Sequence, residues 1–314
     1  MNPQRLAGRL NLLGPWLRRR FGGPVMKIGL DAGLGCPNRD GTLGREGCSF
    51  CPPSGSGAGG EPGSIGEQLR QGLARLQGRA QARGRRVPAA LAYFQAHTST
   101  HAEPQRLEQL YSQALGVPGV AGVIVSTRPD CLDEPRWRLL DRLNRRTTFW
   151  LELGLQSACD QTLARLGRGH DVAAFDRALA RARELNIRVV AHVILGLPGE
   201  GREHTAATAR HLARSGVWGV KMHSLMVLEQ TGLAREYREG RFIPWSRQTW
   251  ARAAAEFLAL LPRRVLIHRL VADPGRERLL APEWAGDKNR ALAALARVLE
   301  ENDWEQGSLC PQRD

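Results

Sequence analysis

The sequence predicts an α/β fold: a partial or full (β/α) barrel with an N-terminal helix and a C-terminal α-rich extension. Three observations carry this expectation. Short apolar runs recur at 25–30, 90–95, 120–126, 149–155, 189–195, 220–225 and 265–270. Stretches with helical spacing separate them, among them 65–83, 104–115, 173–185 and 202–215. Strands that alternate with helices make βαβ units and a parallel sheet. Six or seven such units, in a chain of 314 residues, suit a barrel whose working face is the C-terminal end of its strands.

The elements follow in order. Leu6, Leu10, Leu13 and Leu17 lie at helical spacing in an acid-free, arginine-bearing segment, so 1–24 reads as a basic helix. The barrel core is expected over 25–245 and an extension packed on it over 246–314. After the first strand come three cysteines on a glycine-rich loop, then a Gly-, Ser- and Pro-rich stretch at 54–63 that reads as a loop. Side chains alternate across a strand. Tyr93, Gln95 and His97 therefore share one face of the second strand. In the fourth, Phe149, Leu151, Leu153 and Leu155 form an apolar face opposite Glu152 and Gln156. The fifth presents His192 opposite Val189, Ala191, Val193 and Leu195, and the sixth turns Lys221 and His223 inward. Polar groups gathered inside a barrel are costly unless they bind something or one another, which favours a ligand site. The tail from Gly307, with Cys310, is expected to fray.

Hydrophobic content of 42% and charged content of 24% are ordinary for a globular chain. No apolar run is long enough to cross a bilayer, and none at the N-terminus resembles a signal peptide, so the expected compartment is the cytoplasm. The net charge of +14 suggests a polyanionic partner. Only three of the 45 basic residues are lysines, a skew that a GC-rich genome would also produce. Local clustering is more telling. Residues 68–102 contain no acid but hold Arg70, Arg75, Arg79, Arg83, Arg85 and Arg86, and residues 1–20 hold five arginines and no acid.

The chemistry sits in Cys36, Cys48 and Cys51. A [4Fe-4S] cluster normally takes four thiolates; three would leave one iron open, as catalytic metal sites do. Phe50, beside the last cysteine, is placed to shield such a cluster or pack on an adenine. Two other readings stand: a structural zinc site, with His97 as the nearest fourth ligand, and a redox dithiol. Cys131 and Cys159 read as buried small hydrophobes.

The loop 36–51 resembles that of the YhcC/YtqA-like radical S-adenosylmethionine (SAM) proteins. So do Tyr93–Thr100, Thr127–Cys131, Leu151–Ser157, Arg168–His170 and Gly196–Glu200. More distantly, several of these motifs are similar to the radical SAM domain of the Elongator catalytic subunit, which modifies wobble uridines of tRNA. The resemblance implies a radical SAM-type barrel in which Cys36, Cys48 and Cys51 hold a [4Fe-4S] cluster. It implies reductive cleavage of SAM to a 5′-deoxyadenosyl radical, an electron donor such as flavodoxin or ferredoxin, and a tRNA wobble uridine as substrate. It further implies SAM contacts from Glu152 and Gln156, close backbone approach at Gly196, and Gln95 near the SAM amino group, where the family's usual Gly-Gly-Glu motif is absent. For Glu152 the alternative is a buried pair with Arg128 or Arg168; for His192, a satisfied core histidine. The eleven-residue gap between Cys36 and Cys48 departs from the short interval common in radical SAM enzymes, and a glycine-rich loop can span it. No counterpart of the Elongator acetyltransferase domain is present, so no acetyl-CoA chemistry is expected. The remaining alternatives are a radical SAM enzyme acting on a protein or small metabolite, and a zinc-stabilised nucleic-acid-binding module.

Overall fold

A computed structural model describes residues 4–55, 63–275 and 278–310. Seven strands form one all-parallel sheet: β1 (Val25–Leu30), β2 (Ala89–Phe94), β3 (Val120–Thr127), β4 (Thr148–Gln156), β5 (Val189–Leu195), β6 (Gly219–Ser224) and β8 (Leu266–Arg269). The short strands β7 (Val227–Leu228) and β9 (Leu279–Ala281) pair antiparallel beside it. The order β1-β2-β3-β4-β5-β6-β8 leaves β1 and β8 unpaired with each other, so the barrel is partial. All seven apolar runs of the sequence appear as strands of this sheet, shifted by at most two residues at an end.

Alternation decides which side chains face where. Phe149, Leu151, Leu153 and Leu155 of β4 belong to the large core that the surrounding helices cover, with Phe175 and Leu179 from the helix Val172–Glu184. The opposite face looks into the barrel. Its lower part is apolar: Leu91, Ile124, Trp150, Val190 and Leu266 pack on Leu13 and Leu17 of the helix Leu13–Phe21, which plugs the N-terminal ends of the strands.

The expected single N-terminal helix is two, Gln4–Arg9 and Leu13–Phe21. The break has a cause in tertiary bonding. Asn11 O accepts from Ile267 N (2.8 Å), Asn11 N donates to Gln306 Oε1 (2.9 Å), and Leu12 bridges to Ile267. The chain thus lends β8 an extended neighbour on its free edge. The expected fraying from Gly307 is not seen as far as Cys310: Leu309 N donates to Ala259 O (2.9 Å) and Gln306 is buried. Residues 56–62 of the expected loop, and 311–314 of the tail, lie outside the described residues.

Candidate active site

Above this apolar base the interior is built in layers, and the first of them, around Glu152, is the floor of the cavity. Glu152, fully buried on β4, accepts five hydrogen bonds. Its Oε1 takes Lys27 Nζ and Trp150 Nε1, each at 3.2 Å, and its Oε2 takes Tyr93 Oη (2.6 Å), His192 Nε2 (2.6 Å) and Lys221 Nζ (2.9 Å). Lys221 also donates to Tyr93 Oη. Two of the chain's three lysines meet on this carboxylate, and both ammoniums lie against the Tyr93 ring. Burial would push Glu152 up, but Lys221, Lys27 and the His192 hydrogen bond more than offset it, so the carboxyl stays well below its ordinary range. Burial, then the Lys221 charge, lowers His192 to about 4, and burial lowers Lys221 to about 7. The imidazole is therefore neutral, and its Nε2–H serves the carboxylate.

Above this layer opens a cavity of about 520 Å³, lined by Cys36, Cys48 and Cys51 from the loop after β1 and by Gln95, Gln156 and His192 from strand ends. Phe50 lines it too and packs among Leu166, Ile194, Leu197, Leu225 and Leu233. Lys221, His223 and Arg269 reach it from the other side. Gln156 is held at φ +70° beside an irregularity in the β4–β5 register, so the strand end bends at this residue. A non-glycine residue in that region is strained unless its surroundings hold it. Here Gly154 makes room: a Cβ on it would lie 2.8 Å from Gln156 Nε2 and 3.0 Å from Arg168 Nη2.

Cys48 is buried, and two donors point at its sulfur: Asn38 Nδ2 at 3.2 Å and Arg168 Nη1 at 3.4 Å. Burial would raise this thiol, but the Arg168 charge and hydrogen bond, then Asn38 and Arg128, bring it below its ordinary value. Arg168 is fixed by Gly154 O (3.1 Å) and His170 Nε2 (2.9 Å), and its own carbonyl accepts from Arg128 Nη2 (2.5 Å). Arg128 is clamped in turn by Asp130 (3.0 and 2.8 Å). The motifs at 127–131 and 168–170 thus stand together behind Cys48. Ser157 likewise bonds Glu200, joining the motifs at 151–157 and 196–200.

The sequence profile of the Radical SAM superfamily matches residues 33–212, more than half of the chain. The chain belongs to the radical SAM superfamily. The Radical_SAM C-terminal domain matches 217–301. Protein YhcC of Escherichia coli (strain K12) is 39% identical over 93% of this chain and 93% of its own length. YtqA of Bacillus subtilis (strain 168) is 34% identical over 95% and 92%. A tRNA uridine(34) acetyltransferase of Dehalococcoides mccartyi (strain CBDB1) is 32% identical over 48% of this chain, which spans only 33% of that protein. Among solved structures, Elp3 of Methanocaldococcus infernus with an N-terminal deletion superposes with a TM-score of 0.64 at 16% identity. That alignment covers 90% of this chain and 64% of the other, and it speaks to the fold alone. This radical SAM protein is an enzyme that uses a [4Fe-4S] cluster and SAM.

The donor set fits that cluster. Three thiols line one cavity, N–H groups face a sulfur, and two buried guanidinium atoms there, Arg128 Nη1 and Arg168 Nε, have no partner. A single ion such as zinc would need its ligands about 2.0–2.3 Å from one point. Among the described residues no three His, Cys, Asp or Glu side chains are grouped to hold one ion.

Of the other residues singled out in the sequence, Phe50, Gln95, Gln156 and His192 line the cavity, and Glu152 and Gly196 do not. Glu152 lies beneath it in ion pairs with lysines rather than with Arg128 or Arg168. At Gly196 (φ +88°) a Cβ would meet Trp245 Cδ2 at 3.2 Å. Sequence reasoning missed Asn38, Lys27 and Arg269. Lysine scarcity was the available signal for Lys27: in a chain that uses arginine almost everywhere, a lysine marks a place where a compact ammonium is wanted.

Proposed function

We propose that this chain reductively cleaves SAM at a [4Fe-4S] cluster held by Cys36, Cys48 and Cys51, and that its substrate is tRNA, at the wobble uridine. The convergence of the three thiols with the Arg128 and Arg168 donors on one strand-end cavity carries this reading. When bound, cluster and cosubstrate supply a hydrogen-abstracting radical.

The chain's own residues do the rest. The hydrogen bonds from Asn38 and Arg168 to the Cys48 sulfur favour its thiolate form as a cluster ligand. Phe50 covers the cysteine side of the cavity with its ring, and the amides of Gln95 and Gln156 give donors and acceptors for the cosubstrate's polar groups. Glu152 acts from below, fixing His192, Tyr93 and Lys221 at the cavity wall. Gly196, with no side chain, lets the Trp245 ring pack against the backbone just after β5. An RNA base enters such a site only when unstacked from its neighbours. The match to the tRNA uridine(34) acetyltransferase and the arginine-rich composition favour RNA over a protein or small-metabolite substrate. The setting is the cytoplasm, with flavodoxin or ferredoxin as electron donor.

The test has two arms. Anaerobically reconstituted protein with dithionite should release 5′-deoxyadenosine from SAM, and Cys48→Ala should abolish both the release and the visible cluster absorbance. Unchanged turnover would refute the ligand assignment. Nucleosides of tRNA from cells lacking the protein should show a changed wobble uridine; identical profiles would remove tRNA as substrate.

A further inference from the structure

At the N-terminal ends of β1 and β2, opposite the cavity mouth, two arginine-bearing segments meet. The helix Leu13–Phe21 carries Arg18, Arg19 and Arg20 in its last turn and is capped by Gly22. The helix Ile65–Gln81 ends next to Arg79, and the link into β2 carries Arg83, Arg85 and Arg86. Arg86 Nη1 donates to Gly22 O (2.9 Å), and Ala89 N donates to Pro24 O (3.0 Å), so the segments form one face. All seven arginines are exposed, and among the described residues none has a carboxylate partner. Several arginines elsewhere pair: Arg142, Arg165, Arg181, Arg202 and Arg263 each sit 2.7–3.3 Å from a carboxylate.

We infer that this face is a docking surface for the sugar–phosphate backbone of RNA. It rests on the tRNA reading above and says where, away from the cavity, the RNA is held. Genome composition accounts for arginine in place of lysine, but not for seven of them gathered on two touching segments that contain no acid. Helix dipoles favour cations at the two helix ends, yet one or two per end would serve. Guanidinium groups match phosphate oxygens in paired hydrogen bonds. The apolar side chains exposed nearby, Met26 and Val87, are not the aromatic and leucine-rich face that seats a protein in a lipid interface. A β1 of six residues spans roughly 20 Å, so an RNA that reaches both this face and the mouth must extend at least that far.

The experiment measures affinity of the reconstituted holoprotein for full-length tRNA by fluorescence anisotropy across a salt series. The triple substitution Arg18→Gln, Arg19→Gln, Arg20→Gln should weaken binding about tenfold or more at low salt and flatten the log Kd–log salt slope by about 2–3. The double substitution Arg83→Gln, Arg85→Gln should act in the same direction, and Arg181→Gln with Arg202→Gln should change neither quantity. Both substituted proteins should melt like the parent. Parent-like affinity and slope in both the triple and the double variant would overturn this inference while leaving the tRNA reading standing. A parent protein that binds no tRNA would overturn both. Preferential binding to phosphatidylserine-containing vesicles, lost in the triple variant, would reassign the face to membranes.

Discussion

The floor of the barrel and its outer basic face both concentrate positive charge, and they treat it in opposite ways. On the floor, buried Lys221 and half-buried Lys27 meet on one carboxylate that accepts five hydrogen bonds. On the outer face seven arginines stand in water with no carboxylate among them. A buried charge must find its compensation inside the fold, because desolvation is costly; an exposed one needs none and remains free for a partner. The residue types follow the same division. The compact ammonium fits against the ring of Tyr93 and one carboxylate oxygen, whereas the planar guanidinium suits phosphate. Mutations on the floor should therefore change stability, and mutations on the face should change only what the protein binds.

The sharpest break of this contrast is at Glu152. Glu152→Gln keeps the shape but leaves buried Lys221, and half-buried Lys27 beside it, without this counter-charge. Removing one partner of a buried pair typically costs about 3–5 kcal/mol, so urea denaturation should show a large fall in midpoint. A fall within error would mean that the floor charges are solvated. Next in size is acid sensitivity. His192 is held at about 4 in the fold and has an ordinary value of 6.5, so between these pH values the unfolded chain takes up a proton that the fold refuses. Stability is therefore lost as the pH falls from 6.5 towards 4, by roughly 2 kcal/mol at pH 5. His192→Gln keeps a donor for Glu152 but does not titrate, so it should lose less between pH 7 and pH 5. Equal losses in parent and variant would show that His192 is not kept neutral. Smaller still is Lys221→Met. The carboxylate keeps Lys27 and three neutral donors, and the lost hydrogen bonds should cost about 1–2 kcal/mol, less than Glu152→Gln by a clear margin.

How much of this was legible beforehand depends on the range of the interactions. Period-two alternation set the inward face of β4, so Glu152 and Gln156 were both identified as interior. Alternation does not say how deep along the strand a side chain lies, and four residues separate an ion-paired carboxylate under the cavity from an amide on its wall. The glycine-rich cysteine loop was legible because its chemistry is local. Asn38 was missed although it lies between Cys36 and Cys48, because its role depends on folding back to within 3.2 Å of a sulfur ten residues on. For Glu152 the resemblance implies a SAM contact and the sequence offers Arg128 or Arg168 as the alternative partner; its actual partners are lysines 125 and 69 residues away. The split of the N-terminal helix was likewise set from afar, by Ile267 and Gln306; local periodicity carries no trace of it.

The smallest expected effect is the one that makes the contrast quantitative. Replacing Arg18, Arg19 and Arg20 by glutamine removes three positive charges from the C-terminal turn of a helix whose buried side, Leu13 and Leu17, is untouched. Glutamine keeps a similar helix propensity, and exposed substitutions usually stay within about 0.5 kcal/mol. The helix dipole favours the arginines, but salt screens that term and it falls off within the last turn. Mutual repulsion among three adjacent guanidiniums, and with Arg83, Arg85 and Arg86 across the Gly22 contact, works the other way. The two terms nearly cancel, so the triple variant should unfold within about 1 kcal/mol of the parent at moderate salt, with a difference that shrinks as salt is added. A loss as large as that of Glu152→Gln would mean that these arginines hold the plug helix in place, and the face would then belong to the fold like the floor.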